Sequence, residues 1–508
     1  MEVTIGHTLL ANAHNYGERE AVVIDNKRLT YKALNEAVNR RANALLAMGV
    51  KKGDHVGTLS ANSVELVETI YALARIGAVI VPLNFRLSPN EMTYVVNHAD
   101  LSTLIFQEQF EKTVREIMPS ISAVKSFLYS GEQCSGDWID FEAKTRTQSS
   151  QMPDVQVAEN DMATIIYTSG TTGQPKGVVH THKNWVWAMA SVSIATKGEW
   201  FSKRLTAFPL FHAGGFLNLF GSIFATNTLV MLTHFDAKLM IESIEKEKIN
   251  QLGNPPTVYK MLLRMPELAK TDVRSIRRIA SGSEVMPDET RNQLKKAFPG
   301  AGIVENYGMT ETCATITHRV MEFTDVKPFS AGCPVAHVRL RIVDENGNDV
   351  ALGDVGEVLC SGPNIMQGYY KDKEKTAEAI RDGWLYTGDI GLMDGDGFLY
   401  LKDRKNNMLI SGGENIYPKE IEDVLYRHPK ILEAAVFGVP DELWGEKVCA
   451  AIISKPGESL TAEDVIGFCA NSLASFKKPK DVYFVDALPK NQIGKVLRSA
   501  LKQKFAGP

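Results

Sequence analysis

The stretch Tyr167-Thr168-Ser169-Gly170-Thr171-Thr172-Gly173-Gln174-Pro175-Lys176-Gly177-Val178 decides how this chain is read. One apolar strand signal, Thr164-Ile165-Ile166, runs into it, and another, Val178-Val179-His180, leaves it. Between them, after Tyr167, stand three glycines, five hydroxyl or amide side chains and one lysine, with no acidic group. Glycines let successive backbone N–H groups face one anion, hydroxyls add donors, and lysine adds a full positive charge. The composition predicts a strand-loop-strand unit whose loop folds over a polyphosphate. Pro175 and Lys176-Gly177 break the spacing of a Walker A loop, so the P-loop NTPase reading is set aside.

Helix and strand signals alternate around this unit. Thr30 precedes a helix whose apolar Leu34, Val38, Ala42 and Leu45 share a face, and 63–76 reads as another. Residues 56–59 read as a strand, and 78–83 as a strand buried on both sides. With strands at 229–231, 249–252 and 276–280, the alternation predicts an α/β fold of doubly wound parallel sheets. From Gly332 short strands between Gly/Asn turns (339–343, 356–360, 398–401) predict a small β-barrel-like region. The polar run Asp403-Arg404-Lys405-Asn406-Asn407 marks a boundary. After it come a helix with Pro418 near its start and another capped by Thr461, which predict a compact α+β unit. The expected domains are 1–403 and 404–508.

Composition narrows the classes. Hydrophobic residues at 44% and charged residues at 23% suit a soluble globular chain. A formal net charge of −4 opposes general nucleic-acid binding, which needs a basic surface. Cysteines 134, 313, 333, 360, 449 and 469 form no C-x-x-C pair, which favours reduced thiols and a cytoplasmic setting over disulfides or zinc. Met1-Glu2-Val3-Thr4 lacks signal-peptide features, and Ala506-Gly507-Pro508 is not a peroxisomal tripeptide. Pro209, Gly214, Gly215 and Gly221 interrupt the nearly uncharged segment 205–235, so no transmembrane segment is expected. Peripheral membrane contact stays open. Trp185 and Trp187 are expected in the core.

Further motifs follow in order: Phe208-Pro209-Leu210-Phe211-His212-Ala213-Gly214-Gly215, Ser281-Gly282-Ser283-Glu284, and Glu305-Asn306-Tyr307-Gly308-Met309-Thr310-Glu311-Thr312. Then come Tyr386-Thr387-Gly388-Asp389-Ile390, Ser411-Gly412-Gly413-Glu414-Asn415-Ile416-Tyr417-Pro418, and Pro489-Lys490-Asn491-Gln492-Ile493-Gly494-Lys495. Together with the 167–178 loop, these resemble the adenylate-forming superfamily in its acyl-CoA synthetase and fatty-acid CoA ligase branch. The likeness covers nearly the whole chain.

The resemblance implies a large N-terminal domain of doubly wound sheets plus the barrel-like region, followed by a small mobile α+β domain. ATP would be held by Thr168, Ser169, Gly170, Thr171, Thr172, Gly173 and Lys176. Ser283, Glu284, Asn306, Tyr307 and Gly308 would surround adenine, with Glu284 standing where the family commonly has a small residue. Asp389 and Arg404 would hold the ribose. Thr310 would donate to the α-phosphate and Glu311 would hold Mg²⁺, a hard cation suited to carboxylate and phosphate oxygens. Lys495 would neutralise charge building between substrate carboxylate and α-phosphate. His212 would stand at the mouth of the acyl site, with Gly214 and Gly215 leaving volume beside it. Ser411, Gly412 and Gly413 would let pantetheine pass, and Asn406 would be the hinge, where relatives usually carry Asp or Lys.

The expected reaction is a ligation in two steps. A carboxylic acid becomes acyl-AMP at the expense of ATP, then passes to CoA. The 208–215 segment has no Asp to hold an amino group, so a simple carboxylic acid is expected, and the resemblance to fatty-acid CoA ligases implies a medium- or long-chain fatty acid. The alternatives are an aryl acid of coumarate or benzoate type, and loading of a carrier protein. Partners are then the acid, ATP and CoA, with a homodimer left open.

Overall fold

The computed structural model describes residues 2–134, 136–168, 174–196, 198–284, 286–319, 327, 329–411, 414–441, 444–490 and 496–505. Two compact units emerge: residues 1–340 with 360–385, and residues 341–359 with 386–508.

The first unit is built on two large sheets. In one, the strands His55–Leu59, Val79–Pro82, Thr103–Gln107 and Ser126–Ser130 run parallel, and Val79–Pro82 pairs in parallel with Met162–Thr168. In the other, Gly302–Tyr307, Arg278–Ser281, Gln251–Gly253, Lys203–Thr206, Thr228–Met231 and Glu20–Ile24 are parallel neighbours. Apolar runs such as Val79-Ile80-Val81 form such strands because helices cover both faces of the sheet. Thr30 and Ser63 cap the helices Tyr31–Ala47 and Val64–Ile76 by accepting from Ala33 N and Leu66 N, and Gly77 ends the second in the left-handed region. These elements fulfil the α/β reading.

The sheets are not wholly parallel. Lys176–Thr181 returns antiparallel to Met162–Thr168, and Thr317–Arg319 returns antiparallel to Gly302–Tyr307. A parallel crossover needs a dozen or more residues, so the seven residues between 168 and 176 permit only a hairpin. Two expected strands also start late: Gln251–Gly253 for 249–252 and Arg278–Ser281 for 276–280. Segment 205–235 resolves into strand, the helix Ala213–Phe224, and strand again. Among the described residues no helix is long and apolar enough to cross a membrane.

The barrel-like expectation corresponds to a five-stranded sheet of Arg339–Val343, Gly356–Ser361, Trp384–Met393, Ile380–Arg381 and Leu399–Arg404. Within the second unit, the long hairpin Ile431–Asp441 and Gly445–Ser454 anchors a further sheet. The helices Pro418–Leu425 and Ala462–Ala470 pack on one face and Arg498–Phe505 on the other. Pro418 occupies the first turn of its helix, and Thr461 forms a capping box with Asp464, as their sequence positions predict.

Candidate active site

The two ends of the loop quoted at the outset face each other across the hairpin, Thr168 opposite Lys176. Lys176 opens the strand Lys176–Thr181, and its ammonium lies 4.9 Å above the ring of Tyr369. Tyr369 reaches this place because Gly368–Tyr369 pairs with the same strand, Tyr369 opposite Val178. Its hydroxyl donates to Glu311 Oε1 at 2.9 Å. Cation, aromatic ring and buried carboxylate are thus gathered beside the loop. Residues 169–173 themselves lie outside the described residues.

A buried relay fixes the Glu311 turn. Trp185 Nε1–H donates to Thr164 Oγ1 at 3.1 Å, and Thr164 Oγ1 bonds His180 Nδ1 at 3.1 Å. His180 Nε2 lies 2.7 Å from the Thr310 carbonyl oxygen, which can only accept, so its proton sits on Nε2. Burial pushes the His180 pKa down to about 4, which keeps the ring neutral and the relay in one tautomer. Trp185 is a core residue, as expected; Trp187 is half-buried with its ring 4.6 Å from His337.

Glu311 suits a divalent cation. One oxygen is held by Tyr369, and the other takes no hydrogen bond from a described residue. Mg²⁺ is commonly bound by one or two carboxylates while phosphates and waters complete its shell. Among the described residues no group of three His, Cys, Asp or Glu could hold a metal alone, so phosphate oxygens would be required.

The purine motif forms a tight corner. Asn306 is the last residue but one of the strand Gly302–Tyr307, donating to the Ala314 carbonyl at 2.6 Å and accepting from Thr315 Oγ1 at 3.0 Å. Its amide keeps one N–H and one lone pair beyond these. A Cβ on Gly308 would stand 2.4 Å from the Ala314 carbonyl carbon and the Thr315 nitrogen, so only glycine fits. Ser283 is exposed at φ +70°, and exposed Glu284 accepts from Thr257 Oγ1 at 3.0 Å.

His212 is the N-cap of Ala213–Phe224 without using its ring as the cap. The ring centroid lies 4.4 Å from that of Phe211, which meets Phe85 edge-on. Burial, then the charge of Arg86, lowers its pKa to about 4, so His212 is a neutral hydrogen-bonding group. Gly214 faces the Phe208 ring, and a Cβ on Gly215 would stand 2.2 Å from the Pro209 carbonyl oxygen. Gly215 thus serves close backbone packing, while partly exposed Gly214 is the one that leaves room.

In the second unit, Asp389 and Arg404 are cross-strand partners, with Arg404 Nε 2.7 Å from Asp389 Oδ1 and Nη1 donating to the Thr387 carbonyl. Just before Arg404, buried Asp403 accepts from the Arg404 and Lys419 backbone N–H groups and from Asn407 Nδ2. Ser411 is buried at the end of Leu409–Ser411. Gly412, Gly413 and Lys495 lie outside the described residues, as does the Asn406 side chain. Arg498, three residues past Lys495, donates from Nη2 to both oxygens of buried Glu422, at 2.6 and 2.8 Å.

The AMP-binding enzyme family matches residues 9–370, and the AMP-binding enzyme C-terminal domain matches residues 420–495. A feruloyl-CoA synthase of Amycolatopsis sp is 34% identical over 94% of both chains. The long-chain-fatty-acid–CoA ligase FadD13 of Mycobacterium tuberculosis is 33% identical over 94% of this chain and 93% of its own. The chain belongs to the AMP-binding enzyme family, in its CoA-ligase branch. Crystalline ATP-bound MatB from Rhodopseudomonas palustris superposes on this AMP-binding enzyme with a TM-score of 0.92 at 29% identity, covering 100% of this chain and 99% of MatB. The large and small domains expected of the family are those of its solved relatives. Sequence reading of this AMP-binding enzyme missed Tyr369 and His180, whose roles depend on strand pairing and on a relay no local pattern announces.

Proposed function

We propose that this AMP-binding enzyme converts a carboxylic acid to its CoA thioester through acyl-AMP, in the cytoplasm. In the first step a carboxylate oxygen bonds to the α-phosphorus of ATP and the bond to the β-phosphate breaks, releasing pyrophosphate. In the second the CoA sulfur, losing its proton, bonds to the acyl carbon, and AMP leaves with the electron pair of the mixed anhydride. The convergence of Lys176, Tyr369 and Glu311 beside the loop carries this reading.

The triphosphate would lie along Thr168, the 169–173 loop and Lys176, with Thr310 donating to the α-phosphate. Asn306, Tyr307, Gly308, Ser283 and Glu284 would surround the purine, and Asp389 with Arg404 would take the ribose hydroxyls. Mg²⁺ bound at Glu311 would supply charge neutralisation for the phosphates. Neutral His212 would orient the acyl carboxylate by hydrogen bonding, without trapping it as an ion pair. Lys495 would act in the first step, and Ser411, Gly412 and Gly413 would admit pantetheine in the second. The domain boundary at 403/404, with Asn406 as pivot, is where the chain would turn between steps.

A fatty acid and an aryl acid both remain natural substrates on this reading, as the two CoA ligases named above act on one of each kind by name. The test is pyrophosphate release across acetate, hexanoate, palmitate, benzoate and coumarate, with and without CoA. Acid-dependent release with stoichiometric AMP, and thioester only when CoA is present, is expected. Release without thioester from CoA would point to a carrier protein as acceptor. No acid-dependent release from any acid would remove the proposal.

A further inference from the structure

The helix Ala213–Phe224, which begins at His212, leads to a cationic cluster that the steps above do not use. Asn218, one turn beyond Gly214, donates from Nδ2 to the Gly214 carbonyl at 2.8 Å and accepts from Arg204 Nη1 at 3.5 Å. The close approach is possible because residue 253 is glycine: a Cβ there would meet Asn218 Oδ1 at 2.5 Å. Arg204, Gln251 and Arg278 are register neighbours on three adjacent strands, so their side chains share one face of the sheet. His318 feels the charges of both arginines and is buried, with both ring nitrogens lacking a hydrogen-bond partner.

The two arginines are not served alike among the described residues. Glu199 is engaged by Arg278 at 3.5 Å and by Gln251 Nε2 at 3.1 Å. Arg204 bonds only neutral oxygens, Gln251 Oε1 at 2.8 and 3.3 Å and Asn218 Oδ1, and forms no ion pair with a described residue. Burial first, then neighbouring Arg278, draws its pKa down to about 10, and burial keeps His318 neutral. Among the described residues no carboxylate pairs with Arg204, and of its five donors two are left over. Arg204 is nevertheless partly accessible, as are Asn218 and Gly214 along the helix. Buried cations without counter-charge are costly unless something anionic or strongly accepting completes them.

We infer that Arg204, braced by Asn218 and Gln251, is a specificity residue that receives a second oxygen function at the far end of the acid. The inference rests on the acyl-site reading of His212 and Gly214. At 1.5 Å per residue, Asn218 lies about 9 Å along the helix from His212, so the oxygen would be about that far from the reacting carboxylate. A hydroxycinnamic acid or an α,ω-dicarboxylic acid of similar length meets the condition; an unsubstituted alkyl chain would leave the cation unanswered.

Two matched pairs test this: coumarate against cinnamate, and suberate against octanoate, each read as kcat/KM for AMP formation. The wild-type enzyme should favour the oxygenated member of at least one pair by about tenfold or more, since rejecting the analogue leaves polar groups unpaired. The pair that responds tells a phenolic from a carboxylate end. In Arg204→Met the ratio should collapse towards one, and in Arg204→Lys it should be intermediate. A wild-type preference for the plain acids in both pairs, or a ratio unaltered in both variants, overturns the inference. An ATP-dependent rise in Tm shows that each variant is folded. Turnover of octanoate and cinnamate without discrimination would defeat this inference and leave the ligase reading intact, whereas no turnover of any acid defeats the ligase reading itself.

Discussion

Tyr369 serves two neighbours with one side chain: the ring face carries the Lys176 ammonium and the hydroxyl donates to Glu311. Tyr369→Phe keeps the first contact and removes the second. A hydrogen bond to a charged group contributes about 1.5–3 kcal/mol, so the KM for ATP should rise on the order of tenfold or more, with Tm little changed. An unchanged KM would show that Glu311 needs no such donor. The division of labour assigned to Lys495 makes a sharper demand. Lys495→Ala should lose acyl-AMP formation yet still make thioester from supplied acyl-AMP, and Gly412→Leu should do the reverse. Equal loss of both steps in either variant would end that division. At this scale the motifs were legible because each is a short string whose chemistry is local: Lys176 and Arg404 stand at the ends of strands the sequence announces, and Asp389 sits in its Thr-Gly-Asp string within Trp384–Met393. Tyr369 was not, since its partner is 58 residues away and only strand pairing brings them together.

Elements, unlike single residues, are held by groups that do no chemistry. The Glu422–Arg498 pair joins the helix Pro418–Leu425 to the start of Arg498–Phe505, and both partners also bond the Val436 backbone. Breaking a buried pair by removing one partner costs about 3–5 kcal/mol because the other charge is stranded. Arg498→Met should therefore loosen the last helix, seen as faster amide hydrogen exchange in 498–505. Because Lys495 lies three residues upstream, adenylation should suffer before thioester formation does. Uniform exchange throughout the chain in that variant would mean the pair supports nothing local. Helix starts were readable from sequence through Thr30, Ser63, Pro418 and Thr461, whose capping needs only neighbours in the chain. The antiparallel returns were missed because hydrophobic alternation says nothing about strand direction, although the seven-residue loop after Thr168 already excludes a parallel crossover.

For the whole molecule, acid is the expected weakness. His180, His182 and His318 are buried, and burial lowers each from 6.5 to about 4. As pH falls through 6.5 the unfolded chain takes up protons that the folded chain refuses, so it binds more protons across that window and stability drops. The contribution is complete above about pH 6.5 and gone by about pH 4, each ring contributing on the order of 3 kcal/mol. Tm measured at constant ionic strength should fall steadily between those limits, and His318→Leu should flatten the slope. A Tm independent of pH over that range would mean the rings are solvated. The doubly wound architecture was legible at this scale from alternating elements alone, whereas the setting of Arg204 was not, since it depends on which strands are adjacent.

Asp403 stands one residue before Arg404 and reaches forward to the backbone of Lys419, with a second oxygen bonded to Asn407. The pivot proposed at Asn406 lies between Asp403 and both of these partners. A carboxylate that reaches across a swivel to two partners beyond it works as a latch: turning there would have to break its bonds to Lys419 and Asn407. The tempo at which such an enzyme alternates between making an anhydride and spending it would then be set partly by a side chain that touches neither.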